Sequence, residues 1–307
     1  MTHITVIGSI NMDIVTYVTK LPLPGETVKG LGTTNNPGGK GANQAIAAYL
    51  AGGSVTMIGA VGGDEIGQNL ISNFRDIGLD TTNILRKKGQ SGLAFITVDL
   101  SGENQIVLSE GSNAELSTED MLLLKDIIKT SHTILLQNEI PWNTTKYLIE
   151  FANSSGIRVV FNPAPAIQIE EGILPFIDIL ILNETEAESI TEVKVHDLLS
   201  ARAAAAKLLE VGVKEVIITL GDKGSFYCSR KGEDIYTNAY AVEAVDTTAA
   251  GDAFIGAFTV ISATNPSMDE CLRFASSAAA ITVTRKGAQI SIPNKGEIEA
   301  FLERTPM

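Results

Sequence analysis

Residues 246–252 read DTTAAGD and combine a turn that suits an anion with a side chain that can accept a proton. Residues 240–245 before them are mostly apolar and predict a strand, and a helical pattern begins near Ala253. Small side chains leave the backbone N–H groups at such a helix start open to a phosphate group. Asp252 adds a carboxylate that would repel this phosphate unless it takes a proton from an incoming hydroxyl group. The alternative is an ordinary aspartate cap, which this segment alone leaves equally open.

A glycine-rich segment at 37–45, PGGKGANQA, opens a second helical pattern that continues to Ala51. Its glycines allow a ligand to approach the backbone closely, and the helix start offers N–H groups. The segment is not a Walker A loop, because Lys40 is followed by Gly41 instead of Ser or Thr and because Thr34 stands where the leading glycine belongs. A plain turn is the alternative, but Lys40 and Asn43 within the segment favour a ligand site.

Asn11 and Asp13 follow the first predicted strand, with Met12 between them. An aspartate at the carboxyl end of a strand can accept hydrogen bonds from two sugar hydroxyl groups, and an asparagine amide adds a donor and an acceptor. Considered alone, the pair is better explained as a solvated turn.

Two later strand ends also carry polar residues. Asn183 and Glu186 either form a capping box at a helix start or place Glu186 where it holds a metal-bound water near phosphates. Residues 219–224, TLGDKG, suit the flank of a nucleotide and otherwise form an ordinary turn.

Residues 282–291 follow an alanine-rich helical pattern at 271–280 and lack regular periodicity. Their carbonyl groups therefore have few obvious partners. A loop of free carbonyl groups close to the Asp246 turn is able to enclose a monovalent cation.

Short apolar runs alternate with helical patterns through most of the chain and predict strands at 4–7, 55–58, 133–136, 158–161, 177–182 and 216–220. The runs are nearly continuous, as expected for parallel strands covered on both faces. Strand–helix alternation predicts right-handed crossovers and a three-layer α/β domain with a mostly parallel central sheet. Polar residues follow each run, so the functional candidates, Glu139 among them, are expected along one edge of the sheet.

Two stretches interrupt the alternation. Residues 14–32 contain a strand-like run and then several turn residues, and residues 91–109 predict a β-hairpin with its turn at 101–104. The first hairpin strand is apolar on both faces and needs two partners. We interpret it as a lid with one face over the active site and the other against a second subunit. The alternative is an edge of the main sheet.

The composition of the 307 residues is typical of a soluble globular protein, with 44% hydrophobic and 19% charged residues. The formal net charge of −13 argues against non-specific binding to nucleic acid or to an anionic membrane surface. A phosphate substrate must therefore be met by local donors and a metal ion. No signal peptide or transmembrane run is predicted. Cys228 and Cys271 are isolated and are expected to be buried thiols in a reducing cytoplasm.

The segments at 38–44 and 246–252 together resemble the hallmark motifs of the ribokinase family of phosphofructokinase-B-type sugar kinases. Both are intact and occur in the expected order. Residues 162–166, NPAPA, and 284–289, TRKGAQ, are similar to the ribokinase branch in particular. The resemblance covers essentially the whole length. It implies a single domain at 1–307, with a ribokinase-like fold and lid strands inserted at about 14–36 and 91–110.

The resemblance implies ATP-dependent phosphorylation of D-ribose at O5, which gives D-ribose 5-phosphate and ADP. Asp252 would take the hydroxyl proton, and the amides of Ala249, Ala250, Gly251 and Asp252 would stabilise charge on the transferring group. The implied sugar-binding residues are Asn11, Asp13, Gly39, Lys40, Asn43, Glu139 and Asp252. The implied ATP-binding residues are Asn183, Thr219, Gly221, Asp222, Lys223, Gly224, Gly251 and Ser276.

The resemblance also implies two metal ions. Magnesium would be reached through water near Glu186. The implied potassium ligands, mostly backbone carbonyl groups, belong to Asp246, Thr248, Thr282, Arg285, Gly287 and Ser291. A cytoplasmic homodimer that pairs through the lid strands is implied as well, with no nucleic acid or membrane partner.

Two alternatives stay open at this point. A kinase of the same family could act on 2-deoxyribose, fructose or a nucleoside, and Met12, between the two presumed sugar ligands, could change the shape of the pocket. A non-catalytic sugar or nucleotide sensor could use the same fold. The presence of Asp252 and of the small residues before it disfavours the sensor.

Overall fold

The computed structural model describes residues 2–167, 169–265 and 267–305. The strands are β1 His3–Ile7, β2 Asn11–Val18, β3 Gly30–Gly38, β4 Ser54–Gly62, β5 Ile84–Lys87, β6 Gly92–Val98, β7 Asn104–Ser109, β8 Thr133–Gln137, β9 Arg158–Asn162, β10 Ile179–Asn183, β11 Glu215–Thr219, β12 Ser225–Ser229 and β13 Asp234–Thr237. The helices are α1 Lys40–Leu50, α2 Glu65–Ile77, α3 Thr118–Leu123, α4 Lys125–Ile128, α5 Trp142–Ser154, α6 Glu184–Thr191, α7 Leu198–Glu210, α8 Ala250–Ile261, α9 Met268–Val283 and α10 Lys295–Arg304.

The main sheet has the strand order β13-β12-β11-β10-β9-β8-β1-β4-β5. Neighbouring strands from β11 to β5 are parallel, and β12 and β13 add an antiparallel edge. Each of the six predicted strands is present, which confirms the α/β class. The parallel arrangement brings the carboxyl ends of these strands to one edge, where ligands bind in open α/β sheets.

Successive residues of the central strands pack into two different cores. Leu135 and Ile181 pack on one face of the sheet with α1 and α8, whereas Leu136 and Leu182 pack on the other face with α5 and α7. Both faces are covered by helices, so the strands are apolar at every position instead of alternating. Full burial of each such side chain contributes roughly 1.5–3 kcal/mol to folding.

A separate four-stranded sheet, the lid sheet, has the order β3-β2-β6-β7. Strands β6 and β7 form the predicted hairpin, so the alternative that it is an edge of the main sheet is wrong. The family resemblance implied lid strands at about 14–36, but the residue pattern did not predict β3, because its sequence, GLGTTNNPG, is rich in glycine and polar residues and mostly exposed. Its extended form depends on pairing with β2 along nearly the whole of both strands.

The predicted strand at 240–245 is wrong, because this segment is an irregular loop. The backbone N–H groups of Val245 and Asp246 donate to the carbonyl oxygen of Val283 at 2.7 and 3.1 Å. The loop therefore takes its hydrogen bonds from the end of α9 instead of from a neighbouring strand. This attachment places the Asp246 turn beside the loop that follows α9.

No helix within the described residues combines the length and the apolar character needed to cross a membrane. Cys228 and Cys271 are buried free thiols, as predicted.

Candidate active site

The amino end of α8 carries Asp252 together with open backbone N–H groups. Ala249, the residue before the helix, has the left-handed φ of 61° and turns the chain into α8. Among the described residues, no oxygen accepts a hydrogen bond from the backbone N–H of Ala249, Gly251 or Asp252. A Cβ added at Gly251 would meet no atom within 4 Å, so space is open in front of these groups. Together they form a site that suits an anion.

The carboxylate of Asp252 is buried and is held by two adjacent residues of α1. Asn43 Nδ2 donates to Asp252 Oδ2 and Gln44 Nε2 donates to Asp252 Oδ1, each at 2.9 Å. One amide therefore orients each carboxylate oxygen. Each oxygen keeps a further lone pair for an incoming hydroxyl group.

A network of buried amide side chains surrounds Asn43 and Gln44. No pattern in the sequence predicted this network. Gln44 Nε2 also donates to Asn162 Oδ1 at 3.1 Å, and Gln44 Oε1 accepts from Gln137 Nε2 at 2.7 Å. Gln289 Nε2 donates to Asn43 Oδ1 at 3.0 Å. The available signal was the presence of Asn43 and Gln44 at the start of a helix whose neighbouring positions are small or apolar.

Asn11 and Asp13 are not in a solvated turn, as the local pattern favoured, but are buried at the start of β2. Alternation along the strand places them on one face. Met12 lies on the opposite face and packs in the core, so any effect of Met12 on the shape of the sugar pocket would have to act through β2. A Cβ at Gly38, on the paired strand β3, would lie 2.2 Å from Asp13 Oδ2. Glycine is therefore needed there to make room for the carboxylate.

Glu139, which follows β8, joins the first turn of α1. Its Oε2 accepts a hydrogen bond from the backbone N–H of Lys40 at 3.0 Å and another from Ser9 Oγ. Gly39 has a φ of 92°, and a Cβ there would lie 2.8 Å from the backbone nitrogen of Asn11. The glycine-rich segment thus lets α1 begin directly against the start of β2.

Acidic side chains dominate the electrostatics around Lys40. Burial, together with the nearby Glu139 and Asp252, raises the pKa of Asp13 to about 7 against the opposing effect of Lys40. Burial acts to lower the pKa of Lys40, but the surrounding carboxylates, led by Asp252 and Glu139, leave that pKa raised. The lysine therefore stays charged.

The predicted nucleotide residues lie along the same edge of the main sheet. Asn183 and Thr219 are register partners at the ends of β10 and β11. Gly221–Lys223 forms a short 3₁₀ turn after β11, Asp222 at its centre and Gly224 directly after it, and Ser276 is buried on α9.

Glu186 completes a capping box with Asn183, which confirms the first of the two alternatives given for this pair of residues. The backbone N–H of Glu186 donates to Asn183 Oδ1 at 2.8 Å, and Glu186 Oε2 accepts from the Asn183 backbone N–H at 3.0 Å. Burial raises the pKa of Glu186, which also interacts electrostatically with Lys40 and Asp252. Glu186 is therefore both a cap and a neighbour of the proposed catalytic carboxylate.

The Asp246 turn is joined to the loop after α9. Asp246 Oδ1 accepts from the Thr248 backbone N–H and Asp246 Oδ2 accepts from the Gly287 backbone N–H, each at 2.9 Å. Burial opposes ionisation, but these hydrogen bonds hold the pKa of Asp246 below its usual range. Within the described chain, no donor reaches the carbonyl oxygens of Asp246, Thr248, Arg285 or Gly287.

The other predicted potassium ligands have partners of their own. The carbonyl oxygen of Thr282 accepts from the Arg285 backbone N–H at 3.1 Å, and Ser291 Oγ donates to the carbonyl oxygen of Ala288 at 2.6 Å. The Arg285 side chain pairs with Glu297 at 2.6 Å. In the part of the chain that the structure describes, no group of three or more His, Cys, Asp or Glu side chains is placed to hold a metal ion.

Comparisons with known proteins identify the family of this chain. The sequence profile of the pfkB family carbohydrate kinases matches residues 1–295. The ribokinase of Haemophilus influenzae is 44% identical over 301 residues, which cover 98% of both chains. The deoxyribokinase of Salmonella typhimurium is 36% identical over 97% of this chain and 98% of its own.

Solved structures show the same fold. The ribokinase of Thermotoga maritima superposes with a TM-score of 0.89 at 42% identity, covering 99% of this chain and 100% of that chain. The ribokinase of Arabidopsis thaliana, complexed with ribose and ATP, superposes with a TM-score of 0.89 at 30% identity and 98% coverage of both chains.

Proposed function

The chain belongs to the pfkB family of carbohydrate kinases, and from this premise we propose that it phosphorylates D-ribose at O5 with ATP. The products are D-ribose 5-phosphate and ADP. The observation that carries the proposal is the carboxylate of Asp252, oriented by Asn43 and Gln44 beside the open N–H groups at the start of α8. Phosphoryl transfer depends mainly on this kind of positioning and electrostatic stabilisation.

In the proposed reaction, Asp252 accepts the proton of the O5 hydroxyl group. The O5 oxygen attacks the γ-phosphorus of ATP, the bond from that phosphorus to the bridging oxygen breaks, and ADP leaves. The backbone N–H groups of Ala249, Ala250, Gly251 and Asp252 stabilise the charge on the transferring group. Support comes from the open N–H groups of Ala249, Gly251 and Asp252.

Sugar recognition is assigned to the acidic group at the start of β2 and α1. Carboxyl oxygens accept hydrogen bonds from hydroxyl groups, so Asp13 and Glu139 suit a sugar. Asn43 offers an amide beside Asp252, and Lys40 balances part of the negative charge. Asn11 and Gly39 complete the proposed sugar site.

ATP is assigned to the edge formed by Asn183, the turn at 219–224 and Ser276. The register of β10 with β11 supports this, because it brings Asn183 and Thr219 side by side. The lack of a three-ligand acidic cluster in the described residues fits magnesium, which keeps several waters and takes few protein oxygens. Near Glu186, magnesium would neutralise charge on the phosphates when bound.

Potassium is assigned to the Asp246 turn and the loop after α9. Carbonyl oxygens with no donor in the described chain, and a carboxylate that stays ionised, are suitable ligands for a hard monovalent cation. The residues that would hold it are Asp246, Thr248, Thr282, Arg285, Gly287 and Ser291. When bound, the cation would stabilise the turn that leads into α8.

The assembly that we propose is a cytoplasmic homodimer of single-domain chains, without a nucleic acid or membrane partner. Exposed apolar side chains on the lid sheet support dimerisation through it: Phe95 and Val107, which are register partners, are 46% and 66% exposed. The net charge of −13 disfavours polyanionic partners.

A coupled assay of ADP release across a sugar panel tests the function. The panel contains D-ribose, 2-deoxyribose, fructose and a nucleoside, each assayed with K⁺ and with tetramethylammonium in its place. We expect the highest kcat/KM for ribose, and a much lower rate in tetramethylammonium. A preference for 2-deoxyribose would instead indicate that this chain is a deoxyribokinase, the activity for which the Salmonella typhimurium relative is named. Binding without ADP release for any sugar would indicate a sensor.

A further inference from the structure

Three side-chain amides from distant parts of the chain form a hydrogen-bonded series that ends at Asp252. We call Asn73, Gln289 and Asn43 the amide relay. Asn73 Nδ2 donates to Gln289 Oε1 at 2.7 Å, Gln289 Nε2 donates to Asn43 Oδ1 at 3.0 Å, and Asn43 Nδ2 donates to Asp252 Oδ2 at 2.9 Å. Asn43 and Gln289 are buried, so these bonds exclude water.

The direction of every bond in the relay follows from the carboxylate. An ionised carboxylate only accepts, so Asn43 must turn its NH₂ group toward Asp252 and its oxygen toward Gln289. Gln289 must then present its NH₂ group to Asn43 and its oxygen to Asn73. A residue at position 289 that cannot donate would favour the opposite orientation of Asn43, which places an amide oxygen against Asp252 Oδ2.

We propose that Gln289 is a positioning residue for the phosphoryl-transfer reaction, which fixes the orientation of Asn43 and through it that of Asp252. The inference rests on the proposed function, because it takes Asp252 as the proton acceptor. Gln289 touches neither the carboxylate nor the anion site and acts only through Asn43.

The position of Gln289 in the loop after α9 explains how it can orient Asp252. It begins the 3₁₀ turn Gln289–Ser291, two residues after Gly287, whose backbone N–H donates to Asp246. The loop after α9 is thus joined to both ends of the catalytic turn: to Asp246 at its start and, through the relay, to Asp252 at its end. Gln44 holds the other carboxylate oxygen independently through Gln137 and Asn162, so loss of the relay should impair the reaction without abolishing it.

The variant Q289E tests the direction of the relay. An ionised Glu at 289 has no proton to donate to Asn43. We expect kcat for ribose about 10- to 100-fold below the native value near pH 8, a range typical of small misplacements in an active site. Rates are measured at saturating K⁺, because position 289 is two residues from Gly287 and from Ser291, which we assign to potassium. KM for ATP should change less than about twofold.

A matched control is Q68E, which makes the same chemical change at an exposed position of α2. Its kcat and its KM for ATP should stay within about twofold of native.

N73D provides a second variant if Q289E does not fold. Asn73 is only partly buried, and an Asp there reverses Gln289 and Asn43 in the same way, so kcat should fall, but less than in Q289E. A kcat within twofold of native in both variants, once each is shown to fold, would overturn the proposal. Near-normal turnover of D252N would instead contradict the proposed role of Asp252 as the proton acceptor. The experiments therefore distinguish a failure of the proposal for Gln289 from a failure of the proposed function.

Discussion

At the residue scale, Asp252 is an unusual aspartate because side-chain amides from another helix bind both of its oxygens although it lies in the first turn of α8. Buried hydrogen bonds to a charged group contribute about 1.5–3 kcal/mol each, so Asn43 and Gln44 strongly favour one orientation of the carboxylate. Ordinary helix caps bind the backbone of their own helix. The side chain of Asp252 is instead directed to another helix, which leaves the N–H groups of α8 available to a ligand.

Replacement of Asp252 by Asn should lower kcat by roughly 10²–10⁴, the usual contribution of a general base. The amide of an Asn at this position cannot take the hydroxyl proton. Its NH₂ group would also face the NH₂ group of either Asn43 or Gln44, so one hydrogen bond is lost. Steady-state ADP release with ribose measures the effect. D269N, an exposed position at the start of α9, is the control and should keep native turnover. Native-like kcat in a folded D252N protein would exclude Asp252 as the base.

The raised pKa of Asp13, about 7, predicts a pH dependence of stability. The folded chain keeps the proton of Asp13 over a range in which the unfolded chain has lost it. The free energy of unfolding therefore decreases as the pH rises from about 4 to about 7. Asn at position 13 removes this contribution, so the decrease should be smaller by roughly 1–3 kcal/mol in D13N.

Urea unfolding of the native chain and of D13N at several pH values in this range measures the difference. D80N, at an exposed aspartate whose pKa is lowered, is a suitable control, because that group affects the pH dependence of stability only below about pH 4, so the decrease between pH 4 and pH 7 should match that of the native chain. Parallel curves for the native chain and D13N would show that Asp13 ionises normally.

At the element scale, the start of α1 depends on a glycine that has no room for a side chain. Gly39 adopts a left-handed φ, and its Cα lies against the backbone of the segment that leads into β2. That contact sets the distance between the sugar-binding residues of β2 and those of α1. The glycine-rich segment is thus a packing requirement as well as a ligand site, a distinction that the spacing of its residues did not reveal.

G39A should therefore lower both stability and sugar affinity. We expect a loss of about 1–3 kcal/mol from the left-handed φ and the backbone contact together, and a higher KM for ribose. G232A is the matched control: Gly232 has a φ of 88°, but an added Cβ would meet no atom within 4 Å. It should lose stability from φ alone and keep the native KM. Equal KM values in the two variants would contradict the proposed role of Gly39.

At the scale of the whole molecule, the lid sheet leaves apolar side chains on a surface that a single chain does not cover. Phe95 and Val107 lie side by side on this sheet and are 46% and 66% exposed. A second copy that pairs through these strands would bury this surface and extend the sheet.

V107K should disrupt the proposed homodimer, because burying an unpaired ammonium group opposes association. Light scattering coupled to size exclusion should give the mass of one chain for V107K and of two chains for the native protein. Q105K, on the same strand, adds the same charge without removing an apolar side chain and should shift the equilibrium less. A native protein that elutes as a monomer would contradict the proposed dimer.

The fold was largely determined by local features of the sequence. Continuous apolar runs of four to six residues, each followed by small or polar residues, can be satisfied only by strands covered on both faces, and they identified the main sheet and its active edge. The family membership was also recognisable from the motifs at 38–44 and 246–252, and the comparisons confirm it. Strand β3 and the loop at 240–245 were missed, because their backbone hydrogen bonds come from distant partners instead of from their own patterns.

The tertiary structure alone determined how the site is oriented. Asn43 and Asp252 are 209 positions apart, and Gln289 is 246 positions from Asn43, so no local spacing indicates that they share hydrogen bonds. It also separated Met12 from its neighbours Asn11 and Asp13, because alternation on a strand depends on which face the fold covers. Residue types and their order along the chain specified which chemistry is available, and packing of the remote segments decided which atoms meet.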